Sequence, residues 1–302
     1  MRIGIFAGDV SGAGGVDAIV GEAVRTAEQG FPSLWLPQIF GVDAITLAGV
    51  IGREVPGIEL GTAVVPTYPR HPMMLAQQAL TTNVLAGGRF TLGIGLSHQF
   101  VIEQIMKMSF DKPVRHMREY LSILRPLIHE GSVSFEGETL GCQAGIDVPG
   151  AEPCPILVAA LGPMMLKLAG ELADGTITWM TGPNTLSDHI RPTIAASAEQ
   201  HGRPVPRIVA GVPICVTDDV DATRERAAQA LVTYGFLPSY RAMLDREGLG
   251  GPADFALIGD EATVAAGIKG YEGAGVDDLL AAEMGATESE QTRTRDLLRT
   301  LL

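Results

Sequence analysis

Several large functional classes need residues this chain has little of. Its three cysteines, Cys142, Cys154 and Cys215, are too few and too scattered for a disulfide framework or a CxxC metal site. They read as small buried or loop thiols. No HExxH or comparable ligand cluster occurs, no GxSxG nucleophile elbow and no GxxxxGK[ST] phosphate loop, which points to a metal-free site. Positive charge is scarce: 22 Lys and Arg stand against 35 Asp and Glu, and the formal charge of −13 excludes the basic face that nucleic acid needs. Any anionic ligand must therefore be held by local donors. No uninterrupted apolar run of about 18 residues exists, so no membrane span is implied. The opening MRIGIFAGDV passes straight into a strand without a leader-like segment, and a cytoplasmic protein is expected.

Glycine is plentiful, yet its two clusters fail as dinucleotide loops. In GDVSGAGG, Gly12 and Gly14 are followed by Asp17 where the third glycine should stand, and Gly93-Ile94-Gly95 is followed by His98. A hydrophobic content of 46% with 19% charged residues describes a soluble globular chain, read as one domain over residues 1–302.

Gly57–Phe100 organises the rest. It reads as a β-branched strand (Ile58–Val64), a proline-rich loop (Pro66, Pro69, Pro72), a helix to Ala86, a Gly87-Gly88 stop and a second strand (Arg89–Ile94). Strands joined by such a crossover run parallel, and functional loops collect at their carboxyl ends. Ala63-Val64-Val65-Pro66 and Gly95-Leu96-Ser97-His98 should therefore lie side by side around one mouth. Further strands are expected at Arg2–Ala7, Ser33–Leu36, Pro155–Ala160, Gly175–Met180, Arg207–Val216 and Asp278–Glu283, with helices between them. Eight strands alternating with helices predict a (β/α)₈ TIM barrel; a doubly wound sheet is the alternative. The turn-rich Gly131–Pro153 is expected to form an extra hairpin and loop insertion after the fourth strand, laid over the mouth.

His98, three residues past a strand end, is the main catalytic candidate, because an imidazole there can exchange a proton near neutral pH. Gln38, ending the second strand, could orient a heterocycle or serve as a loop amide. His71 reads as a helix-start residue. Leu161-Gly162-Pro163 and Thr181-Gly182-Pro183 each place glycine after a strand and proline at a helix start, where free N–H groups bind phosphate. Tyr234, Phe236 and Tyr240 suit either an aromatic lid or plain packing. Lys107, Lys112, Arg115 and Arg118 suit either a solvated helix face or an anchor for an anionic tail.

LGTAVVPTYPRHP (60–72), GGRFTLGIGLSH (87–98), RHMREYLSILRPL (115–127), AALGPMMLKLAGELADGTITWMTGP (159–183) and DREG (245–248) together resemble the luciferase-like flavin and deazaflavin oxidoreductases. The third and fourth strand ends and ADGTITWM resemble the branch that uses the deazaflavin coenzyme F-420. The resemblance implies a (β/α)₈ barrel, a homodimer, a small-molecule substrate and hydride transfer to or from F-420. It implies a non-proline cis peptide at Ala63-Val64 behind the ring, with Leu96, Ser97 and His98 flanking ring and substrate. The cofactor phosphate would sit against Leu161-Gly162 and Thr181-Gly182, with Ala160 and Met180 on the ribityl side. Family sugar-phosphate dehydrogenases carry an Asp-His pair after strand two and a Glu after strand four; this chain has Gln38-Ile39 and His98 there. The rival readings are an FMN-dependent monooxygenase served by a separate reductase, and a non-catalytic deazaflavin-binding protein.

Overall fold

A computed structural model describes residues 1–7 and 15–302. Most of the first glycine-rich turn, residues 8–14, lies outside the described residues. The first half of the chain runs β1 (Arg2–Phe6), α1 (Val16–Glu28), β2 (Ser33–Leu36), α2 (Ala44–Glu54), β3 (Glu59–Thr62), β4 (Val65–Pro66), α3 (Pro72–Leu85), β5 (Phe90–Gly95) and α4 (Pro113–Glu130). It continues with β6 (Ser132–Glu136), β7 (Gly141–Gly145), β8 (Ile156–Ala159), α5 (Pro163–Leu172), β9 (Gly175–Trp179), α6 (Pro183–Thr185) and α7 (Arg191–Gln200). The last part is β10 (Arg207–Val216), α8 (Val220–Leu231), α9 (Pro238–Glu247), β11 (Leu257–Gly259), α10 (Glu261–Gly273), β12 (Asp278–Glu283) and α11 (Glu288–Thr300).

Parallel pairing runs β12-β1-β2-β3-β5-β8-β9-β10 and returns from β10 to β12, closing an eight-stranded barrel. This is the expected (β/α)₈ TIM barrel. The barrel strands are short apolar runs because both faces are covered, one by the helix layer and one by the barrel interior. Trp35, Leu157, Ile177, Val209 and Leu280 fill that interior. The helix ends follow local rules: Asp43 accepts from the Thr46 N–H at 2.9 Å, and His71 Nδ1 from the Met73 N–H at 3.3 Å ahead of Pro72. Gly87 and Gly88 stop α3 with φ of 60° and 83°. β11, which pairs outside β10 over Leu257–Gly259, has no counterpart among the expected strands; three residues leave no readable period.

The amino end of the barrel is closed by charge. Arg2 and Arg207 donate to the two oxygens of Asp278 at 2.6 and 2.7 Å, and both also pair with Glu59. The Arg207 guanidinium lies 5.5 Å from the Trp35 ring, capping the apolar interior from below.

The Gly131–Pro153 segment does form a hairpin, with β6 and β7 antiparallel, but it lies along α4 rather than over the mouth. Alternation gives it one apolar face, Val133, Phe135 and Cys142, which packs on the core. Its tip is held by Glu119 of α4, whose carboxylate accepts the N–H groups of Glu138, Thr139 and Leu140 at 2.8–2.9 Å.

The carboxyl-terminal helix is fastened by buried Glu290. Burial alone would raise its pKa. Bonds from the Thr217 hydroxyl and the Ala286 and Thr287 N–H groups, with Arg226 beside it, outweigh burial and hold it at about 2. This depressed carboxyl contributes stability that is fully present above its unfolded pKa of about 4.3 and is lost as pH falls toward 2. Chemical denaturation across that window should report a falling stability that a Glu290→Gln variant flattens; an unchanged pH slope in the variant would contradict the assignment.

Candidate functional site

The site is built on a register slip. Leu60 and Gly61 pair with Phe90 and Thr91, whereas Val65 and Pro66 pair with Ile94 and Gly95, so one extra residue enters between them. The excess is a bulge at Thr62–Val64, and the Ala63-Val64 peptide is cis. Thr62 replaces the interrupted ladder: its Oγ1 donates to the Gly93 carbonyl at 2.8 Å and accepts the Gly93 N–H at 2.9 Å. Glycine at 95 makes room for the bulge, since a Cβ there would stand 2.7 Å from Val64 Cγ2 and 3.2 Å from Ala159 Cβ. Ala63 and Val64 therefore face the top of the barrel interior, beside Phe6 and Ala159. Pro66 and Gly95 are register partners, so the two strand ends lie side by side as expected.

After β5 the chain turns through Ser97, with φ of 61°, to His98, and continues as a π-helical turn at Val101–Ile105. Among the described residues, four non-glycines have positive φ. Ser97, Lys107 and Lys112 follow β5 and Met180 follows β9, so all four lie at the carboxyl end of the barrel, where functional sites concentrate such conformations. His98 is half-buried, and burial lowers its pKa, favouring neutral imidazole.

Rings converge on His98 from α9 and the turn before it. Tyr234 lies 6.4 Å and Tyr240 6.1 Å from the imidazole, and the two tyrosines meet edge to face at 5.0 Å. The series continues through Trp179, 6.4 Å from Tyr234, to Phe6, which stacks on Trp179 at 5.4 Å. Both phenols are pushed to higher pKa by burial and remain O–H donors through the neutral range. The lid-or-packing alternative resolves by residue: Tyr234 and Tyr240 join His98, and Phe236 is exposed. Sequence reasoning missed the Phe6–Trp179 stack, because its partners come from opposite halves of the chain.

The two glycine-proline helix starts differ. Gly162 ends an open turn: no side chain caps α5, and nothing stands within 4 Å of where its Cβ would be. His189 Nε2 donates to the Leu161 carbonyl at 2.8 Å and fixes this loop; the reverse polarity is excluded because a carbonyl only accepts. At Gly182 the corresponding position is filled. Glu247 of α9 accepts the Thr185 N–H at 2.5 Å and the Asn184 amide at 3.1 Å, and a Cβ on Gly182 would stand 2.4 Å from its carboxyl carbon. A carboxylate of this chain thus sits where Thr181-Gly182 was expected to receive phosphate. Thr181 Oγ1 donates to the Trp179 carbonyl at 3.3 Å, and the Met180 side chain is buried with Leu231, Met243, Leu244 and Phe255. Ala160 is also buried, while Leu96 and Leu161 are half-buried.

The Glu247 clasp ties the tyrosine-bearing α9 to the end of β9. Glu247→Ala is expected to lower stability by about 1–2 kcal/mol, whereas Glu247→Gln, which keeps an acceptor for Thr185, retains most of it. Thermal denaturation of both variants checks this; equal losses would contradict it.

Gln38 has a structural partner: its Oε1 accepts the Ala44 N–H at 2.8 Å at the start of α2, and no hydrogen bond joins it to His98. Of the basic segment, Lys112 and Arg115 pair with Glu138 and Arg118 with Glu171, so three of its four cations are committed at the surface.

A closed parallel barrel with a bulged third strand thus carries a wall of aromatic rings at its carboxyl end. The model of the luciferase-like monooxygenase family matches residues 1–278, and the chain belongs to that family. It is 29% identical over 234 residues to a 5,10-methylenetetrahydromethanopterin reductase of Methanolobus tindarius, covering 77% of this chain and 71% of the relative. It is 29% identical over 300 residues to an F-420-dependent glucose-6-phosphate dehydrogenase of Kineococcus radiotolerans, covering 88% and 87%. The coenzyme F-420-dependent tetrahydromethanopterin reductase structure from Methanopyrus kandleri superimposes with a TM-score of 0.81 at 19% identity, covering 99% and 96% of the two chains.

Proposed function

We propose that this chain is an F-420-dependent oxidoreductase that moves a hydride between the deazaflavin and a small organic molecule. The observation that carries the reading is the pairing of an uncapped, exposed helix start at Gly162 with the aromatic wall beside the bulge. A flat tricyclic ring fits against Ala63 and Val64, flanked by Leu96 and Ser97, and a phosphate fits the N–H groups that open α5 beyond Ala160, Leu161 and Gly162. At the second helix start, Met180, Thr181 and Gly182 contribute backbone and packing, with Glu247 as the resident anion. When bound, the deazaflavin supplies a hydride-carrying carbon at ring position 5.

The protein aligns the reacting carbons, excludes water with the tyrosine-lined wall, and handles the accompanying proton at His98. Because burial lowers the His98 pKa, the imidazole is a base at neutral pH and becomes a donor only on acidification. Substrate reduction should rise as pH falls toward that lowered pKa, and oxidation should show the opposite limb. A His98→Ala variant should lose both dependences; unchanged profiles would remove His98 from the mechanism.

The matched family's description as monooxygenases and the shortage of unpaired cations for an acidic tail favour a second reading, an FMN enzyme served by a separate reductase. Titrating the purified protein with each cofactor separates the two. F-420 should bind at least about tenfold more tightly than FMN; tight FMN binding without F-420 binding would overturn the first reading. Turnover by the F-420 complex would in turn exclude a purely binding role.

The exposed apolar residues Val50, Val84 and Leu85 of α2 and α3 support a homodimer through that face, which sedimentation of the protein and of a Val50→Glu variant tests. Among the described residues no helix is long and apolar enough to cross a membrane, in keeping with a proposed cytoplasmic setting.

A further inference from the structure

Among the described residues, several charged groups at this end are engaged, Asp43 with Arg70, Glu283 with Arg295, and Glu247 with Thr185 and Asn184, while Glu103, Lys107 and Asp111 on the segment after β5 stand outside these pairs. The wall itself is rings and aliphatic carbon, from Phe6 through Trp179 and the two tyrosines to His98. Phenylalanine is distributed in the same sense. Of nine phenylalanines only three are exposed: Phe40 at 67% after β2, Phe100 at 64% after β5, and Phe236 at 82% between α8 and α9, in the turn that carries Tyr234. Single exposed apolar residues are ordinary, but two of the largest on loops after barrel strands and a third two residues from Tyr234 extend the apolar wall toward solvent.

We infer that the molecule this site reduces or oxidises is uncharged and largely hydrocarbon, with an enone or ketone as its reacting group, and not a phosphorylated or carboxylated metabolite. The inference rests on the hydride-transfer reading of the same site and names its substrate class. A phosphate or carboxylate on the acceptor would be buried against this wall of rings, whose described members carry no positive charge, a penalty of several kcal/mol in a low-dielectric site. The open helix start at Gly162 is assigned to the cofactor's own phosphate. What the wall does offer suits a carbonyl: the phenol O–H groups of Tyr234 and Tyr240 are donors, and His98 lies beside both. In the net reduction of an enone, the C=C π bond is replaced by two C–H bonds. One hydrogen arrives as hydride from the reduced deazaflavin and one as a proton, and the deazaflavin leaves oxidised.

The test separates binding from turnover. The chain has two tryptophans, Trp35 sealed in the barrel interior and Trp179 in the mouth, so ligand binding to the cofactor-free protein is read as Trp179 fluorescence quenching. The probes are cyclohexenone, a bicyclic terpenoid enone, a steroid enone and glucose 6-phosphate, with calorimetry as a second readout. Affinity should rise about threefold to fourfold for each added buried methylene, and glucose 6-phosphate should not bind. Phe236→Ser, at an exposed position that does not threaten folding, should weaken the larger enones about fivefold or more while the melting temperature holds. Affinity that ignores hydrocarbon size, preference for the phosphorylated probe, or a Phe236→Ser change that alters only self-association would overturn the inference. F-420 binding without enone binding would sink the substrate class alone. Enone binding without F-420 binding would sink the cofactor reading and leave the apolar site standing.

Discussion

Gly162→Asp is expected to leave the protein folded, slightly more stable, and nearly unable to bind F-420. Gly162 occupies the N-cap position of α5 with φ of −79° and ψ of 152°, an extended conformation open to any residue, and its missing Cβ faces open space. An aspartate there can accept an N–H of the first helical turn, which adds a few tenths of a kcal/mol relative to glycine. The same carboxylate takes the donors proposed for the cofactor phosphate and sets a like charge beside it. Losing the helix-start attraction and adding repulsion at about 4 Å together amount to several kcal/mol, so affinity should fall on the order of a hundredfold. Gly162→Ala, which adds only a methyl, should bind almost normally. Melting curves and cofactor titrations on both variants check the pair of effects. If Gly162→Asp binds like the parent, the phosphate does not lie at α5.

The second large effect belongs to the opposite end of the barrel. Asp278 is 1% exposed and both its oxygens are engaged by guanidinium groups, Arg2 from β1 and Arg207 from β10. Glu59 of β3 completes the cluster and is lowered in pKa: its burial works the other way and is outweighed by bonds from Arg2 and Arg207. Asp278→Ala leaves two cations facing each other with half their compensation gone, next to the Trp35 ring that Arg207 covers. Removing one partner of a buried pair costs about 3–5 kcal/mol, and a chain of this size should melt on the order of 10 °C lower. Asp245→Ala supplies the contrast. Its pair with Arg241 is an exposed i,i+4 contact, 64% exposed on the acid, and should cost less than about 0.5 kcal/mol. Equal melting shifts for the two variants would contradict the account of how the barrel is closed.

The barrel was legible because its signals are local. Short apolar runs, proline at helix starts and glycine after helix ends mark the eight strands and most of the helices within windows of about a dozen residues. The neighbouring ends of the third and fourth strands followed from that spacing, and with them the place of His98. What the sequence could not carry is contact between distant segments. The hairpin's alternation reveals one apolar face but not that α4 receives it, which depends on Glu119 reaching the tip some twenty residues on. Gln38 looks like a free loop amide until α2 is seen to use it. The Glu247 carboxylate lies 62 residues from the Thr185 N–H it accepts, so DREG offered no hint that it would fill the second of the two helix starts.

The most direct measurement is a crystal structure of the protein with oxidised F-420 bound. The account predicts the ring lying against Ala63-Val64 with His98 at its edge, the phosphate on the N–H groups that open α5, and Glu247 still bonded to Thr185. A phosphate seated at Thr181-Gly182 with Glu247 displaced, or a ring bound away from the third-strand bulge, would contradict it.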